Sequence, residues 1–289
     1  MKTRGKLFFV LLICVPITMG LAACSTQPKN PADVYDLRRQ AETQLELAGR
    51  QADRGNYETS LVLLDEAMRL AVSVDDPGLR IRTGLSRGNV LFALNRSAAA
   101  AGDWETALDE AEKNGGRELI AVGRVHIARG RLLSGGDSNP AQSVLEEVTR
   151  EMVNIKDRLY LAFSWTVLGL SEKEMGRYAQ AEAAVKRSLD IHEKGHYLEQ
   201  AAYDWFLIAS FRSLSGDYEG ARQALESAIV FDRRVENSYG LASDWRALGD
   251  VYGKAGKSEE SRFAYLRSAE IFRSVGNDEA AVETLGRVK

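Results

Sequence analysis

His192-Glu193-Lys194-Gly195-His196 is a literal H-E-x-x-H. On a continuous helix that spacing sets two imidazoles on one face as zinc ligands, and the glutamate polarises the bound water. Gly195 lies inside the motif and favours a helix end, where the rings need not converge. No third ligand follows at a suitable spacing. The residues therefore favour solvated helix-end histidines, with a tethered zinc hydrolase as the alternative. The remaining histidine, His126, falls on a helix face, so a general base of the usual kind is scarce. There is no phosphate-binding glycine loop and no workable Ser-His-Asp set. The pairs Glu146-Glu147 and Glu259-Glu260 suit solvated helix faces. No catalytic residue, metal or cofactor is expected.

Cysteine narrows the chemistry further. Cys14 and Cys24 are the only two, and beyond Cys24 disulfides, thiolate metal sites and cysteine nucleophiles are excluded. The 289 residues are 45% apolar and 27% charged, an ordinary globular composition. Net charge is −3. Three of the 38 basic residues, Lys2, Arg4 and Lys6, lie in the first 23, which leaves 35 against 41 acidic residues, or −6. A mildly acidic body offers no clustered basic surface, so no nucleic-acid partner is expected.

The basic start precedes an apolar run, Leu7 to Leu21, that is too short and too interrupted (Pro16, Gly20) for a bilayer span. This is the layout of an export signal. Leu21-Ala22-Ala23-Cys24 resembles the lipobox of bacterial lipoproteins. The resemblance implies cleavage before Cys24 and lipidation of Cys24, with acyl chains (palmitate among them) anchoring the chain to a membrane. Ser25 in place of Asp implies the outer membrane, facing the periplasm, in a Gram-negative cell. Residues 1–23 are then the signal peptide. Residues 24–37, polar with Pro28 and Pro31, are the lipidated cysteine and a tether.

The body repeats. Trp165, Trp205 and Trp245 are 40 apart, and each is followed by a glycine-led segment: Gly176-Arg177-Tyr178, Gly216-Asp217-Tyr218 and Gly256-Lys257-Ser258. Earlier copies are Gly55-Asn56-Tyr57 and Gly102-Asp103-Trp104, with a degenerate one at Gly136-Asp137-Ser138. Small residues close the segments at 60, 107, 141, 181, 221 and 261. Between segments the apolar spacing is helical (Ala162, Trp165, Leu168, Gly169), and Asp76-Pro77 and Asn139-Pro140 mark helix starts. No stretch alternates like a strand. Each unit is a helical hairpin that must bury its apolar face against its neighbours.

Trp245-x2-Leu248-Gly249-x2-Tyr252, and Trp165-x2-Leu168-Gly169 before Ala181 and Val185, resemble the tetratricopeptide repeat. The resemblance implies an all-α solenoid of about six hairpins over residues 38–276, a right-handed superhelix with a period near 40 and longer helices than the usual 34. Residues 277–289 would form a capping helix. It also implies a concave groove lined by first helices. Positions two before, one after and five after each Trp equivalent give Asn89, Phe92 and Arg96; His126; Phe163; Tyr203 and Phe206; Arg246 and Asp250. The function implied is a membrane-anchored scaffold for cell-envelope assembly or secretion that binds a protein or peptide partner. A groove sensor for a small ligand or peptidoglycan fragment is a further alternative.

Overall fold

The computed structural model describes residues 36–134, 138–154 and 157–288. The signal, Cys24, the tether and the Gly136-Asp137 segment lie outside them. The unit 37–289 is compact. The described residues hold α1 (Asp36–Asp53), α2 (Tyr57–Ser73), α3 (Pro77–Ala93), α4 (Ser97–Asn114), α5 (Arg117–Leu133) and α6 (Ser138–Met152). They continue with α7 (Arg158–Glu174), α8 (Tyr178–Lys194), α9 (Leu198–Leu214), α10 (Tyr218–Arg234), α11 (Ser238–Lys254), α12 (Ser258–Ser274) and α13 (Asp278–Leu285). No described residue is in a strand, and no described helix is long and apolar enough to cross a membrane.

The period of 40 follows from the helix ends. From α7 to α12 each helix has 17 residues. A three-residue turn separates each from the next, so two helices and two turns make one unit. Most turns hold a residue with positive φ: Gly55, Asp75, Asn95, Gly176, His196, Gly216, Glu236, Gly256 and Gly276. At Gly176 the chain closes as a Schellman motif, with Arg177 N donating to Glu172 O and Gly176 N to Lys173 O, both at 2.9 Å. Side chains then start the next helix, as where Asp76 Oδ1 accepts from Leu79 N beside Pro77 and Asn237 Oδ1 accepts from Gly240 N.

The second unit corrects the sequence reading. Gly102-Asp103-Trp104 is no turn; it lies inside α4. The turn is Leu94-Asn95-Arg96, where Asn95 takes φ +58 in place of glycine. The closing small residue is Ala100, wholly buried, rather than Ala107. The slip is seven residues, two helical turns, so it preserves the face but moves the position along it.

Packing inside a unit depends on glycine on the first helix. A Cβ on Gly169 would lie 2.6 Å from Val185 Cγ2, and one on Gly249 2.6 Å from the Tyr265 ring. The equivalent Gly88 faces Trp104, which is 2% exposed and donates Nε1–H to Leu85 O at 3.2 Å. Gly130 of the next hairpin meets the far edge of the same indole. Trp104 is thus a core wedge between hairpins. Large buried side chains such as Phe211, Ile208, Leu225 and Phe272 continue the interior. Each such side chain contributes about 1.5–3 kcal/mol of burial. First helices of successive hairpins touch (α3 with α5, α5 with α7, α9 with α11), so the array bends towards them.

Candidate binding groove

The first helices bring together part of the expected groove. Asn89 Oδ1 on α3 lies 3.0 Å from His126 Nδ1 and accepts from Arg129 Nη1 at 3.3 Å, both on α5. His126 stacks on Trp104 (centroids 6.4 Å) and lies against Phe163 of α7 at 4.6 Å, and Phe92 adds to the row at 5.8 Å from Trp104. Burial, reinforced by the Arg129 charge, pulls the His126 pKa down to about 3, so the ring is neutral and Nδ1 can donate to Asn89. Burial also lowers the pKa of Arg129, which has no ion-pair partner among the described residues. Tyr203 on α9 is 48% exposed and stacks with Phe206 at 6.5 Å.

Other expected positions are engaged elsewhere. Arg96 sits in the turn after α3 and pairs with Glu58 at 2.7 Å. Arg246 lies over the Phe272 ring at 5.4 Å and reaches Glu283 at 3.4 Å. Asp250 accepts from Tyr265 Oη at 2.7 Å and pairs with Arg287 at 3.1 Å. The last two therefore fasten the chain's end to α11.

The H-E-x-x-H segment is taken apart by the helix end. α8 stops at Lys194, and His196 follows in the turn, exposed, with φ +58. The two histidines share no helix face, and among the described residues no group of three or more His, Cys, Asp or Glu could hold a metal ion. His192 is not solvated as expected: it is 6% exposed, and its Nδ1 lies 2.7 Å from Asp204 Oδ2. Ser188 Oγ is 3.4 Å from that same nitrogen, and Thr166 Oγ1 is 2.9 Å from Ser188 Oγ and 3.2 Å from Asp204 Oδ1. Ser188 and Asp204 share one ring nitrogen, so no proton passes from serine through the ring to aspartate. Burial raises the Asp204 carboxyl while the His192 hydrogen bond lowers it. The set is a buried polar tie between α7, α8 and α9.

One repeat later the same two positions are Asp232 and Asp244, and here a second region of the groove appears that spacing did not disclose. The Asp232 and Asp244 carboxyls face each other, and burial raises the pKa of both. The turn between α1 and α2 comes back to this point. Asp53 lies beside Glu199, Tyr57 beside Tyr239, and a Cβ on Gly55 would lie 2.9 Å from the Tyr239 ring. Gly55 thus serves both its positive φ and this close approach. Protein surrounds Asp53 here although solvent reaches it. That desolvation, then the Glu199 charge, pushes its pKa up to about 7. Burial pushes Asp232 up to about 6. A separate open cleft of about 560 Å³ lies between α10, α11 and α12, lined by Val230, Trp245, Tyr252 and Phe263 among others.

No family model and no curated protein sequence matches the chain. Solved structures do. A Rap protein complexed with competence and sporulation factor superposes with TM-score 0.61 at 16% identity, covering 86% of this chain and 74% of that one. BtubC from P. vanneervenii gives 0.57 at 16% identity, covering 83% and 92%. A kinesin light chain with nearly identical TPR-like repeats, from Podospora anserina, gives 0.53 at 15% identity, covering 68% and 96%. At such identities the fold is what is shared, and it is the TPR-like array of helical hairpins.

Proposed function

We propose that this chain is a binding scaffold that holds an extended segment of a protein or peptide partner along its first helices, at Asn89, His126, Phe163, Tyr203 and Phe206. The carrying observation is the donor set around Asn89. Its Oδ1 is occupied by His126 and Arg129, which leaves the amide N–H groups and the rest of the guanidinium without partners among the described residues. Backbone carbonyls and carboxylates of an extended segment supply the missing acceptors, and the neighbouring rings supply apolar contact. Two neighbours of the same fold support the reading: the Rap protein named above, and a Rap conjugation gene regulator of plasmid pLS20 in complex with the Phr* peptide (TM-score 0.59, 12% identity, 94% of this chain and 79% of that one). A photo-crosslinker at Tyr203 in intact cells should yield an adduct that Asn89→Asp removes, because the new carboxylate neutralises Arg129. An adduct formed equally from Val62, exposed on a second helix, would reject the groove.

We further propose that the scaffold is a lipoprotein of the cell envelope, anchored through Cys24 and, in a Gram-negative cell, facing the periplasm from the outer membrane. The lipobox-like Leu21-Ala22-Ala23-Cys24 supports this. Labelled palmitate should enter the wild-type chain and not Cys24→Ser; an unlabelled wild type would reject it.

A further inference from the structure

We infer that the groove contains a site for a cationic group of a peptide, a lysine, arginine or free amino terminus, held by Asp53, Glu199, Asp232 and Asp244 beside Tyr57, Tyr203 and Tyr239. This deepens the groove reading and rests on it.

Separate elements converge here. Asp53 ends α1 and Tyr57 begins α2; Glu199 and Tyr203 stand one turn apart on α9; Asp232 is near the end of α10; Tyr239 and Asp244 are on α11. Every ionised group acting on Asp53 is an acid, Glu199 first and then Asp232. Asp232 accepts from Asn237 Nδ2 at 3.1 Å, and its other charged neighbours are the acids Asp244 and Glu199. Asp244 is 2% exposed, and its Oδ2 has no hydrogen-bond donor. Among the described residues none of the four ion-pairs with lysine, arginine or histidine. Glu182, by contrast, is matched by Arg212 and Lys186, both at 2.7 Å, and Asp103 by Arg87 at 3.1 Å.

Leaving four carboxyls to one another is costly unless a cation completes them. Without one, some must hold protons, which agrees with the upward shifts of Asp53, Asp232 and Asp244. Gly240 lets α11 pack directly on the Asp232 carboxylate, since a Cβ there would overlap that group. The tyrosines favour an organic cation. Their ring faces attract ammonium and guanidinium groups, and Tyr203 is open to solvent. A metal ion is not the match, because no described set of acids has the geometry to hold one. The Arg129 charge also acts on Tyr203, so the ligand's positive group goes to the acids at Glu199 and its acceptors to Arg129.

The test uses the full chain in detergent and three terminally blocked pentapeptides, Ala-Ala-Xaa-Ala-Ala, with lysine, norleucine or glutamate at the centre, titrated calorimetrically at pH 5.5 and 8.0. The lysine peptide should bind about tenfold or more tighter than the norleucine peptide, and the glutamate peptide weakest. Lysine-peptide affinity should rise by about tenfold from pH 5.5 to 8.0, with proton release, because the cation favours the ionised carboxyls whose pKa values stand near 6 and 7. Asp53→Asn with Glu199→Gln should abolish both the preference and the pH rise, and Asp109→Asn, on the exposed side of α4, should alter neither. Equal binding of lysine and norleucine peptides, a flat pH response, or no heat at millimolar peptide overturns the inference. If the Tyr203 adduct persists in Asp53→Asn/Glu199→Gln, the groove reading stands and this site fails. If the adduct is absent from the wild type while the lysine peptide still binds, the reverse holds.

Discussion

Gly88→Ala should destabilise the protein, although alanine is the better helix former. Gly88 is inside α3, and its helix propensity alone predicts a gain of about 1 kcal/mol. The new methyl would fall within the indole of Trp104. The ring has nowhere to go: Nε1 donates to Leu85 O, and Gly130 abuts its far edge. Overpacking of this kind costs about 1–3 kcal/mol, and loss of the indole hydrogen bond about 1 kcal/mol more. The net is a loss of about 1–3 kcal/mol, or roughly 2–10 °C in melting temperature for a domain of this size. Gly102→Ala is the control. It too is inside a helix, but it is exposed with nothing within 4 Å, so it should gain about 1 kcal/mol. Urea denaturation followed by circular dichroism reads both. In a Trp104→Leu background the indole is gone, and Gly88→Ala should turn stabilising by about 0.5–1 kcal/mol. A wild-type background in which Gly88→Ala is neutral or stabilising, or a sign that does not reverse with Trp104→Leu, refutes the wedge.

Two further predictions concern the turns and the buried charges. His196 and Glu236 are exposed with φ of +58 and +56, so His196→Gly and Glu236→Gly should each raise the unfolding free energy by about 0.5–1 kcal/mol; a fall in midpoint for both contradicts the left-handed turn. His126 stands at about 3 when folded against about 6.5 unfolded, so its contribution is present above pH 6.5 and is lost as pH falls below that value. His126→Gln should therefore gain on the wild type by up to about 1.4 kcal/mol per pH unit below 6.5, measured from urea midpoints at successive pH values. Asp232 runs the other way. Its raised pKa makes the folded chain hold the extra proton, so stability falls as pH rises from about 4 to 6, and Asp232→Asn should remove that slope.

The periodic parts of the fold were legible because the chain repeats its chemistry where geometry repeats its demands. Glycine marks the left-handed turn at 176, 216 and 256, and the small residue follows five positions later at 181, 221 and 261. The second unit escaped because Asn95 adopts the same backbone without being glycine, while Gly102 before Trp104 imitates the marker inside a helix. Asn89 was found on the proper face because a seven-residue slip keeps the face. The same slip put Arg96 beyond the helix. Arg129, Tyr57 and Tyr239 were missed for different reasons. Arg129 is the helix-register equivalent of Asn89 and Asp250, but in that unit the spacing points one residue too far, to Gly130. Tyr57 and Tyr239 meet only through curvature accumulated over several hairpins, which no local spacing records. His192 looked solvated because its partner Asp204 belongs to the following unit.

Contact between the α1–α2 turn and α11 changes how such a chain comes undone. In an open stack each end peels independently, since a unit leans only on its immediate neighbours. Here the α1–α2 turn rests on α9 and α11, so unfolding of α11 also removes part of the seat of that first described hairpin. Synthesis meets the same constraint: the opening hairpin cannot reach its final seat until nearly all of the polypeptide has emerged, and closing that ring is a late, long-range step rather than a local one.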